Sequence, residues 1–417
     1  MSLMVGENMK QPKVFVIGGG ASGIMAAISA KRNGANVTIL ERNSRIGKKI
    51  LATGNGRCNY SNKDATKKDY NHPEFVDVVF DAFGPEHTIR FFESLGIVPK
   101  VEDLGKVFPM SEQASSILDV LMYELDYRGV NVVCDALVQK IVRKIDSYTI
   151  FLADGTQFDA DSVIIATGGK AMPKSGSDGI GYRLAESLGH HTTKVFPALV
   201  KLTLESPYLK HLDGVKFPGT VDLIHHQEVI QSEVGDILFT KFGISGPTIL
   251  QLSRKANALL TEGEKVSIRI HLVSSLTKED LELRLKIAEE KPIDFSLIGL
   301  INKRIISALL KEVGIEKQNT LVKDLRPIEI ERLKSRLFNW DFPVTGFKGF
   351  DDAQVTAGGI DISEINPLTM ESRLNPGLFF TGEVIDIDGL CGGYNLQWAW
   401  SSGYLAGRFA SGRIHHD

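Results

Sequence analysis

The sequence predicts an α/β protein of two domains, the first of which is interrupted along the chain by the second. Strand–glycine–helix patterns occur near both ends of the chain, whereas the middle changes from short β-rich segments to helical ones. The length of 417 residues is enough for two or three domains of ordinary size. We therefore expect residues 1–195 and 345–417 to form one discontinuous domain, with residues 196–344 inserted between its halves.

The composition is typical of a globular protein and argues against nucleic-acid and membrane partners. Hydrophobic residues make up 43% and charged residues 24%, close to the average of globular domains. The 48 basic and 51 acidic side chains give a formal charge of -3, which is too balanced for a phosphate-binding surface, so we expect no nucleic-acid partner. No apolar run approaches the ~20 residues that cross a bilayer, and no signal peptide opens the chain. We expect no membrane partner and a cytoplasmic location, and we leave the oligomeric state open.

The beginning of the chain carries the most informative pattern. Val14–Ile17 is a short apolar run typical of a strand buried on both faces, and Ala21–Arg32 is an Ala-rich helical segment. Gly18, Gly20 and Gly23 have the spacing G-x-G-x-x-G where these two elements meet. In this spacing the first glycine permits a tight turn, the second lets the backbone approach a pyrophosphate, and the third lets the helix pack closely on its strand.

A second strand completes this unit. Val37–Leu40 is apolar and ends at Glu41, whose carboxylate can accept a hydrogen bond from a ribose 2′-hydroxyl. The N-terminus of the helix between the two strands then faces the pyrophosphate. Strand, glycines, helix, second strand and terminal acid in this order predict a Rossmann-like domain that binds an adenine dinucleotide.

The loop after Glu41 indicates FAD rather than a nicotinamide as the bound dinucleotide. A simple NAD-binding domain would continue directly into another crossover helix, whereas a long loop rich in glycine and asparagine can reach over a diphosphate toward a flavin. The alternative is a solvated basic surface loop. The basic residues of this loop are Arg42, Arg45, Lys48, Lys49 and Arg57.

Two later segments repeat the arrangement of a strand followed by glycine. Ser162–Thr167 is apolar and precedes Gly168, which predicts a buried strand whose end meets the cofactor. Leu378–Thr381 is a second such strand, and it precedes Gly382 and Glu383.

A helix is expected at the C-terminus, after the glycine pair Gly392–Gly393. It covers about Leu396–Phe409, and its N-terminus can receive the negative charge of a reduced flavin ring. Its small residues Ala399, Gly403 and Gly407 indicate close packing against another element.

The middle of the chain predicts three kinds of structure. Residues 132–158 alternate in short runs with Asp154–Gly155 between two of them, which is typical of a β-meander. Residues 196–275 are β-rich and predict a barrel that the chain completes near residues 337–344. Residues 276–336 predict a helical subdomain.

Five ordered blocks of the sequence resemble the YhiN/BaiN-type NAD(P)/FAD-dependent oxidoreductases, some of which are described as aminoacetone-oxidase-like flavoproteins. The blocks extend over nearly the whole chain and read VFVIGGGASGIMAA, GKKILATGNGRCN, FTKFGISGP, QVTAGGI and FFTGEVIDIDGLCGGYNLQWAWSSG. The resemblance implies an FAD-dependent oxidoreductase with a Rossmann-like FAD-binding domain of the glutathione-reductase-like and fumarate-reductase-like kind. It also implies an inserted β-barrel with a helical subdomain.

The motifs and the resemblance together give a set of candidate FAD contacts, and the sequence assigns no catalytic side chain. Tyr394, Asn395 and Gln397 are the polar side chains expected nearest the flavin ring. The full set is Gly18, Gly20, Ala21, Ser22, Gly23, Glu41, Arg42, Lys49, Thr53, Gly54, Asn55, Gly56, Arg57, Cys58, Asn59, Val138, Thr167, Gly168, Gly382, Glu383, Gly393, Tyr394, Asn395, Leu396 and Gln397.

Other motifs limit the chemistry. The insertion has no second strand–GxGxxG–helix unit, so NAD(P)H is expected only as a transient co-substrate. The absence of a CxxC pair argues against dithiol chemistry, and Cys391 fits a small buried turn residue better than a reactive thiol. We expect no metal site, because the histidine pairs lack metal-ligand spacing. These pairs are His190–His191, His225–His226 and His415–His416.

Three functions remain open. The first is NAD(P)H-linked hydride transfer through FAD to an activated C=C or C=O bond of a small organic substrate. The second is an FAD-dependent amine or amino-ketone oxidase that passes electrons to oxygen. The third is a non-catalytic flavin-binding or sensing protein.

Overall fold

Five strands form a parallel sheet, in which both the beginning and the end of the chain take part. The computed structural model describes residues 11–273 and 275–412, so the pair His415–His416 lies outside the described residues. From one edge of the sheet to the other, the hydrogen-bonded strands are Leu378–Phe380, Ser162–Ile165, Lys13–Ile17, Asn36–Leu40 and Asn131–Val133.

The apolar side chains of the central strand, Lys13–Ile17, explain its position inside the sheet. Four of the five residues of Lys13–Ile17 are buried, as a strand needs when helices cover both faces of a parallel sheet. Its register pairs Val14 with Val37 on one side and with Ser162 on the other. The carboxyl ends of the strands therefore meet at one edge of the sheet, where ligands of such folds bind.

Helices and two small antiparallel sheets complete the first unit, which comprises residues up to Val195 and from Val355 onward. The first antiparallel sheet contains Ser61–Asn62, Lys106–Pro109 and Pro99–Val101, and the expected meander contains Val138–Arg143, Tyr148–Leu152 and Gln157–Ala160. The α-helices are Ala21–Arg32, Lys48–Ala52, Pro73–Phe83, Pro85–Ser94, Ala114–Tyr127, Ile180–Glu186 and Tyr394–Ala410.

The first helix and the C-terminal helix cross at very short range. A Cβ on Gly403 would lie 2.5 Å from the carbonyl oxygen of Ser22, and one on Gly407 would lie 2.1 Å from that of Ala26. Only glycine allows this approach, so the small residues of the C-terminal helix serve the packing that their pattern indicates.

The second unit, Phe196–Gln354, contains a closed barrel. Burial alternates along Val266–His271 and Trp340–Phe347, as expected for strands with one face in a core, and Trp340 and Phe342 fill that core. The barrel order is Leu202–Leu204, Gly243–Ser245, Glu228–Thr240, Lys216–His225, Val266–His271 and Trp340–Phe347.

Two features of the second unit differ from the sequence-based expectation. The unit ends at Gln354 rather than at residue 344, because Trp340–Phe347 is a barrel strand and the amide of Lys348 still bonds to the carbonyl of Lys201. The region 196–275 also contains a long helix, Pro247–Thr261, which begins with a proline. The sequence-based expectation described this region as β-rich and included no helix.

The helical part of the second unit follows the barrel strand Val266–His271. Its four helices are amphipathic or short and contribute leucine and isoleucine side chains to the same core as the barrel. They are Lys278–Ile287, Ile293–Leu297, Lys303–Glu312 and Pro327–Phe338. Among the described residues of both units, no helix is long and apolar enough to span a membrane.

Candidate cofactor site

The three motif glycines of the first turn each meet a different environment. Gly18 has a φ of +104°, and a Cβ there would lie 2.6 Å from the carbonyl oxygen of Ala166. A Cβ on Gly23 would lie 2.0 Å from the carbonyl oxygen of Gly18, so the helix packs directly on the turn. A Cβ on Gly20, in contrast, would meet nothing within 4 Å. Gly20 therefore borders open space at the start of the helix.

The start of this helix is suited to an anion. Gly20 is the N-cap residue and supplies no side-chain acceptor, and the first turn contains no acidic residue. The next two candidate residues are Ala21 and Ser22, and the hydroxyl of Ser22 is buried and donates to the carbonyl of Thr381 at 3.4 Å. The first-turn N–H groups and the helix dipole thus form a site for negative charge.

Glu41 is buried and directed at the glycine turn. Its Oε2 accepts from the amide of Gly19 at 2.8 Å, and its Oε1 accepts from the amide and the side chain of Asn43 at 2.8 and 2.7 Å. The carboxylate therefore ties the end of the second strand to the turn. Its hydrogen bond to a ribose stays a prediction, because that bond must share an oxygen already used in the fold.

Most of the positive charge of the basic loop is paired within the fold, which the expectation of cations closing on an anion did not include. Three of its cations are neutralised by carboxylates that lie far away along the chain, and the guanidinium of Arg57 also stacks on the ring of Phe108 at 4.1 Å. Sequence alone does not pair such residues. The ion pairs are Arg42–Asp178 at 2.5 Å, Lys49–Glu383 at 2.6 Å and Arg57–Glu102 at 3.0 Å.

The segment Thr53–Asn59 is a tight backbone loop. Gly54, Asn55 and Gly56 are consecutive left-handed residues with φ of 56°, 55° and 85°, and nothing lies within 4 Å of a Cβ on Gly56. The hydroxyl of Thr53 donates to a carbonyl at 2.6 Å, and the side chain of Asn59 accepts from the amide of Val107 at 3.1 Å. These side chains and the backbone bonds of Arg57 and Cys58 to Gly54 and Thr53 hold the loop, and Gly56 borders open space where a ligand could approach.

The end of the strand Leu378–Phe380 brings two further candidates to the same edge of the sheet. Gly382 has a φ of +75°, and a Cβ there would lie 2.4 Å from the hydroxyl of Ser22. Glu383 accepts from the amide of Thr356 at 2.9 Å in addition to its bond with Lys49. The Gly382–Glu383 turn is thus fixed between the first glycine turn and the basic loop.

Thr167, Gly168 and Val138 offer mainly their backbone. Thr167 donates weakly to the carbonyl of Gly168 at 3.4 Å, and Gly168 is left-handed with a φ of +71°. Val138 is the buried first residue of the meander, so its side chain lies in the core.

The N-terminus of the C-terminal helix packs closely against the strand Ser61–Asn62. A Cβ on Gly393, whose φ is +98°, would lie 2.2 Å from the carbonyl oxygen of Ser61. The amide group of Asn395 accepts from the amide of Gly389 at 2.9 Å and donates to its carbonyl at 3.0 Å, which braces the preceding turn. Leu396 packs partly buried against the first core.

Gln397 corrects one expectation. Its side chain is fully buried and bonds to the hydroxyls of Ser61, Thr88 and Ser401 at 2.7, 2.8 and 2.9 Å. The amide therefore joins three elements of the fold, and its polar atoms are already bonded within the protein, contrary to the expected role next to a flavin ring. Ser61 and Thr88 belong to no sequence motif, so only the folded chain connects them with Gln397.

Tyr394 is the polar side chain at this helix start that stays available. Burial, strengthened by nearby acidic groups, raises the pKa of its phenol to about 12, so the hydroxyl is protonated at neutral pH. A Cβ on Gly392 would lie 3.5 Å from a ring carbon of Tyr394 and 3.4 Å from Cε of Lys106. Lys106, which no motif indicated, comes from the antiparallel strand Lys106–Pro109.

The cysteines near the site are poor nucleophiles. Burial raises the pKa of the Cys58 thiol to about 12, and burial likewise raises that of Cys391. Both are therefore thiols rather than thiolates at neutral pH, which supports the interpretation of Cys391 as a turn residue. Cys58 can offer only its backbone to a ligand, since its side chain is fully buried.

These features fit an FAD molecule. An open cradle at Gly20, a helix N-terminus without a side-chain cap, and a second uncapped helix N-terminus at Gly393 lie in one unit. The helix N-terminus at Gly20 suits a pyrophosphate, and the helix N-terminus at Gly393 suits the electron-rich edge of a flavin ring.

Comparison with known proteins gives a match over nearly the full length. The family model described as "HI0933-like protein Rossmann domain" matches residues 12–409. A 3-dehydro-bile acid delta(4,6)-reductase from Clostridium scindens is 40% identical over 409 residues, which are 96% of this chain and 99% of the relative. A ribosomal RNA dihydrouridine synthase from Haemophilus influenzae is 31% identical over 397 residues, 94% of this chain and 96% of the relative.

A solved structure shares the fold. The 3-ketosteroid delta1-dehydrogenase of Sterolibacterium denitrificans has a TM-score of 0.50 and 10% identity, with 96% of this chain and 99% of that chain covered. This likeness concerns the fold alone. The family match and the fold identify an FAD-dependent oxidoreductase with a Rossmann-like domain, and the chain belongs to the HI0933-like family.

Proposed function

We propose that the chain reduces a carbon–carbon double bond conjugated to a carbonyl group in a small organic molecule, with NAD(P)H as the electron donor. The observation that carries this proposal is the 40% identity with a delta(4,6)-reductase over 96% of the chain. A 3-oxo group next to a Δ4 double bond is conjugated to it, so the name of this relative describes reduction of such a system. Dihydrouridine, the product in the name of the second relative, likewise arises when a double bond conjugated to a carbonyl is saturated. Relatives with different substrates thus share one reaction type.

The residues that would hold FAD follow from the site. Gly20 would border the pyrophosphate at the start of the first helix, while Gly18 and Gly23 shape the turn that exposes it. The turns at Gly382 and Gly393 would flank the rest of the molecule. Bound FAD supplies the hydride chemistry of the reaction, while the protein binds, orients and adjusts the electronics of the cofactor. Burial of Glu41 and its bonds to the turn keep this arrangement rigid.

The nicotinamide binds transiently in this proposal. The second unit is an antiparallel barrel with helices, and its described residues contain no parallel strand–helix–strand unit that would hold a second dinucleotide. NAD(P)H would therefore bind, transfer its hydride equivalent and leave before the organic substrate enters.

Tyr394 supplies the proton in this mechanism. Saturation of a conjugated double bond adds a hydride to the β-carbon and a proton to the α-carbon. The phenol Oη of Tyr394 keeps its proton at neutral pH and makes no hydrogen bond within the part of the chain that the structure describes. Solvent would return the proton to the phenolate after the transfer.

Ribosomal RNA is the second candidate substrate, because two relatives at 31% and 32% identity are named as rRNA dihydrouridine synthases. The balance of 48 basic and 51 acidic side chains favours a small molecule, since RNA binding depends on contacts between cations and phosphates. The reaction at the double bond is the same for both substrates.

The test uses the purified full-length protein. Its visible spectrum is recorded anaerobically before and after addition of NADH or NADPH, and the reduced protein is then mixed with one of three probes. These probes are 4-androstene-3,17-dione, 2-cyclohexen-1-one and an unmodified rRNA transcript. We expect bleaching by a nicotinamide and reoxidation by an enone, with a product that gains two hydrogen atoms by mass spectrometry.

Three results would overturn the proposal or part of it. Reoxidation by oxygen alone, with release of peroxide and no change in the enones, would indicate an oxidase. Reoxidation by the transcript alone would move the substrate class to RNA. A flavin that no nicotinamide reduces would exclude NAD(P)H as the donor.

A substitution of Tyr394 tests its role as proton donor separately from the reaction type. We expect Tyr394→Phe to retain flavin and its reduction by NAD(P)H but to slow reoxidation by the enone ~100-fold, in the range for loss of a general acid. The matched control is Tyr123→Phe, since Tyr123 is exposed on the helix Ala114–Tyr127 and should leave both half-reactions unchanged. An equal loss in both half-reactions would contradict the assignment.

A further inference from the structure

One polar cluster lies outside the candidate cofactor site, on the barrel of the second unit. His225 is the last residue of the strand Lys216–His225, and the two-residue turn His226–Gln227 connects it to the strand Glu228–Thr240. Glu264 precedes the strand Val266–His271, whose first residue pairs with His225 in the barrel register. The fold thus joins residues that are almost forty positions apart in the chain.

The turn explains why two neighbouring histidines lie side by side. Successive side chains of a strand point to opposite faces, so consecutive histidines in an extended strand would diverge. His226 has a φ of +48°, which places it in the left-handed region and ends the alternation. The centroids of the two imidazole rings are consequently only 3.9 Å apart, with a tilt of 42°.

The distances within the cluster match those between the ligands of one metal ion. The Oε2 atom of Glu264 lies 3.2 Å from Nε2 of His225 and 3.6 Å from Nε2 of His226. All three possible ligand atoms lie within 4.8 Å of one another. In a tetrahedral zinc site with bonds of 2.0–2.2 Å, neighbouring ligand atoms are about 3.3 to 3.6 Å apart.

The donor set also favours a cation. Neutral imidazole is the form that binds a metal, and two imidazole nitrogens with one carboxylate oxygen are a ligand set found in zinc sites with an open position. The His226 ring is exposed and His225 is mostly buried, so an ion would have one fixed ligand and access to water.

We infer that His225, His226 and Glu264 bind a divalent transition-metal cation of the zinc type, with water in the remaining position. The ion joins the barrel hairpin to the segment before Val266–His271 and stabilises the rim of the barrel. This site is independent of the flavin, since all three residues belong to the second unit. The chain spacing of the two histidines did not indicate it, because the third ligand is distant in sequence.

The experiment measures binding of Zn²⁺ to the full-length holoenzyme after treatment with a chelator. Isothermal titration with ZnSO₄ is compared for the wild type, His226→Ala, Glu264→Gln and the control Glu228→Gln. Glu228 is an exposed carboxylate that pairs with His225 across the hairpin but is not part of the cluster. We expect His226→Ala and Glu264→Gln each to weaken one binding event at least tenfold, whereas Glu228→Gln leaves it unchanged.

A second measurement is independent of heats of binding. An ion that binds only the native state raises its unfolding temperature, so Zn²⁺ should raise the Tm of the wild type more than that of His226→Ala. His226 is exposed, so this variant should fold normally, which its circular dichroism and flavin spectrum will check. No zinc binding in the wild type, or binding that both cluster variants retain at full strength, would overturn the inference.

Discussion

The turn at Gly18–Gly23 and the hairpin at His225–His226 both rely on backbone with positive φ, yet they present opposite chemistry. At the first, glycine supplies the conformation and leaves no side chain, so backbone N–H groups border the open space. At the second, His226 and Gln227 adopt φ of 48° and 68° and keep their side chains. A glycine turn therefore offers donors to an anion, whereas the histidine turn offers lone pairs to a cation.

The largest effect is expected at the glycine that packs the turn. Gly23→Val would place a branched side chain against the Gly18 carbonyl, which lies 2.0 Å from a Cβ at that position. We expect a loss of about 3 kcal/mol or more in the stability of the first unit, the upper end for overpacking, together with loss of flavin. Urea unfolding followed by tryptophan fluorescence and the flavin absorbance of the purified protein measure the two effects.

Gly20→Val is the matched control for that variant. A side chain there enters open space, so the apoprotein should stay within about 1 kcal/mol of the wild type while flavin binding is lost. Normal flavin content in Gly20→Val would contradict the placement of the pyrophosphate. Equal loss of stability in both variants would mean that Gly20 also serves packing.

The second prediction changes the hairpin into a glycine turn. Replacing His226 and Gln227 by Asn and Gly installs the sequence that two-residue turns with two positive φ values favour. We expect a gain of about 1 kcal/mol in the stability of the second unit, since non-glycine residues in the left-handed region carry strain. The same variant should lose zinc binding. Thermal unfolding with and without Zn²⁺ measures both, and a destabilised variant would show that the histidines contribute to the fold by themselves.

The third prediction concerns the paired charges beside the glycine turn. Lys49→Met removes the partner of Glu383, but both side chains are partly exposed, so the loss should be less than about 1 kcal/mol. Flavin should dissociate more readily, because the Gly382–Glu383 turn loses one of its two anchors. Flavin release in urea is compared with that of Lys68→Met, an exposed lysine. No difference between the two would show that the pair is not needed to hold the turn.

The smallest effect is expected for an exposed histidine of the first unit. The hydrogen bond of His191 to Glu364 raises the pKa of the imidazole above its ordinary 6.5. The resulting stability is fully present below the unfolded pKa and is lost as the pH rises through the folded pKa. The wild type should therefore exceed His191→Gln slightly at pH 5.5 and match it at pH 8.5 in unfolding experiments. A difference that grows with pH would contradict this sign.

Much of the first unit follows from local sequence. The strand Lys13–Ile17, the first helix Ala21–Arg32 and the close packing at Gly403 and Gly407 agree with their patterns, because each depends on neighbouring residues or on a fixed period. The fold class and the family also follow, since the motifs lie in order along the chain. The helix Pro247–Thr261 and the end of the second unit at Gln354 did not follow, because they depend on how the barrel closes.

Single residues of the sequence already indicate where the backbone must be free of side chains, as at Gly18, Gly20 and Gly23. Which side chains contact one another depends on the folded structure. Folding pairs three cations of the basic loop with distant acids, buries Gln397 in the core, places Lys106 and Tyr394 near the same glycine and brings Glu264 to a histidine pair. The physical reason is that backbone conformation is a local property, whereas charge pairing and burial depend on elements that are adjacent only after folding.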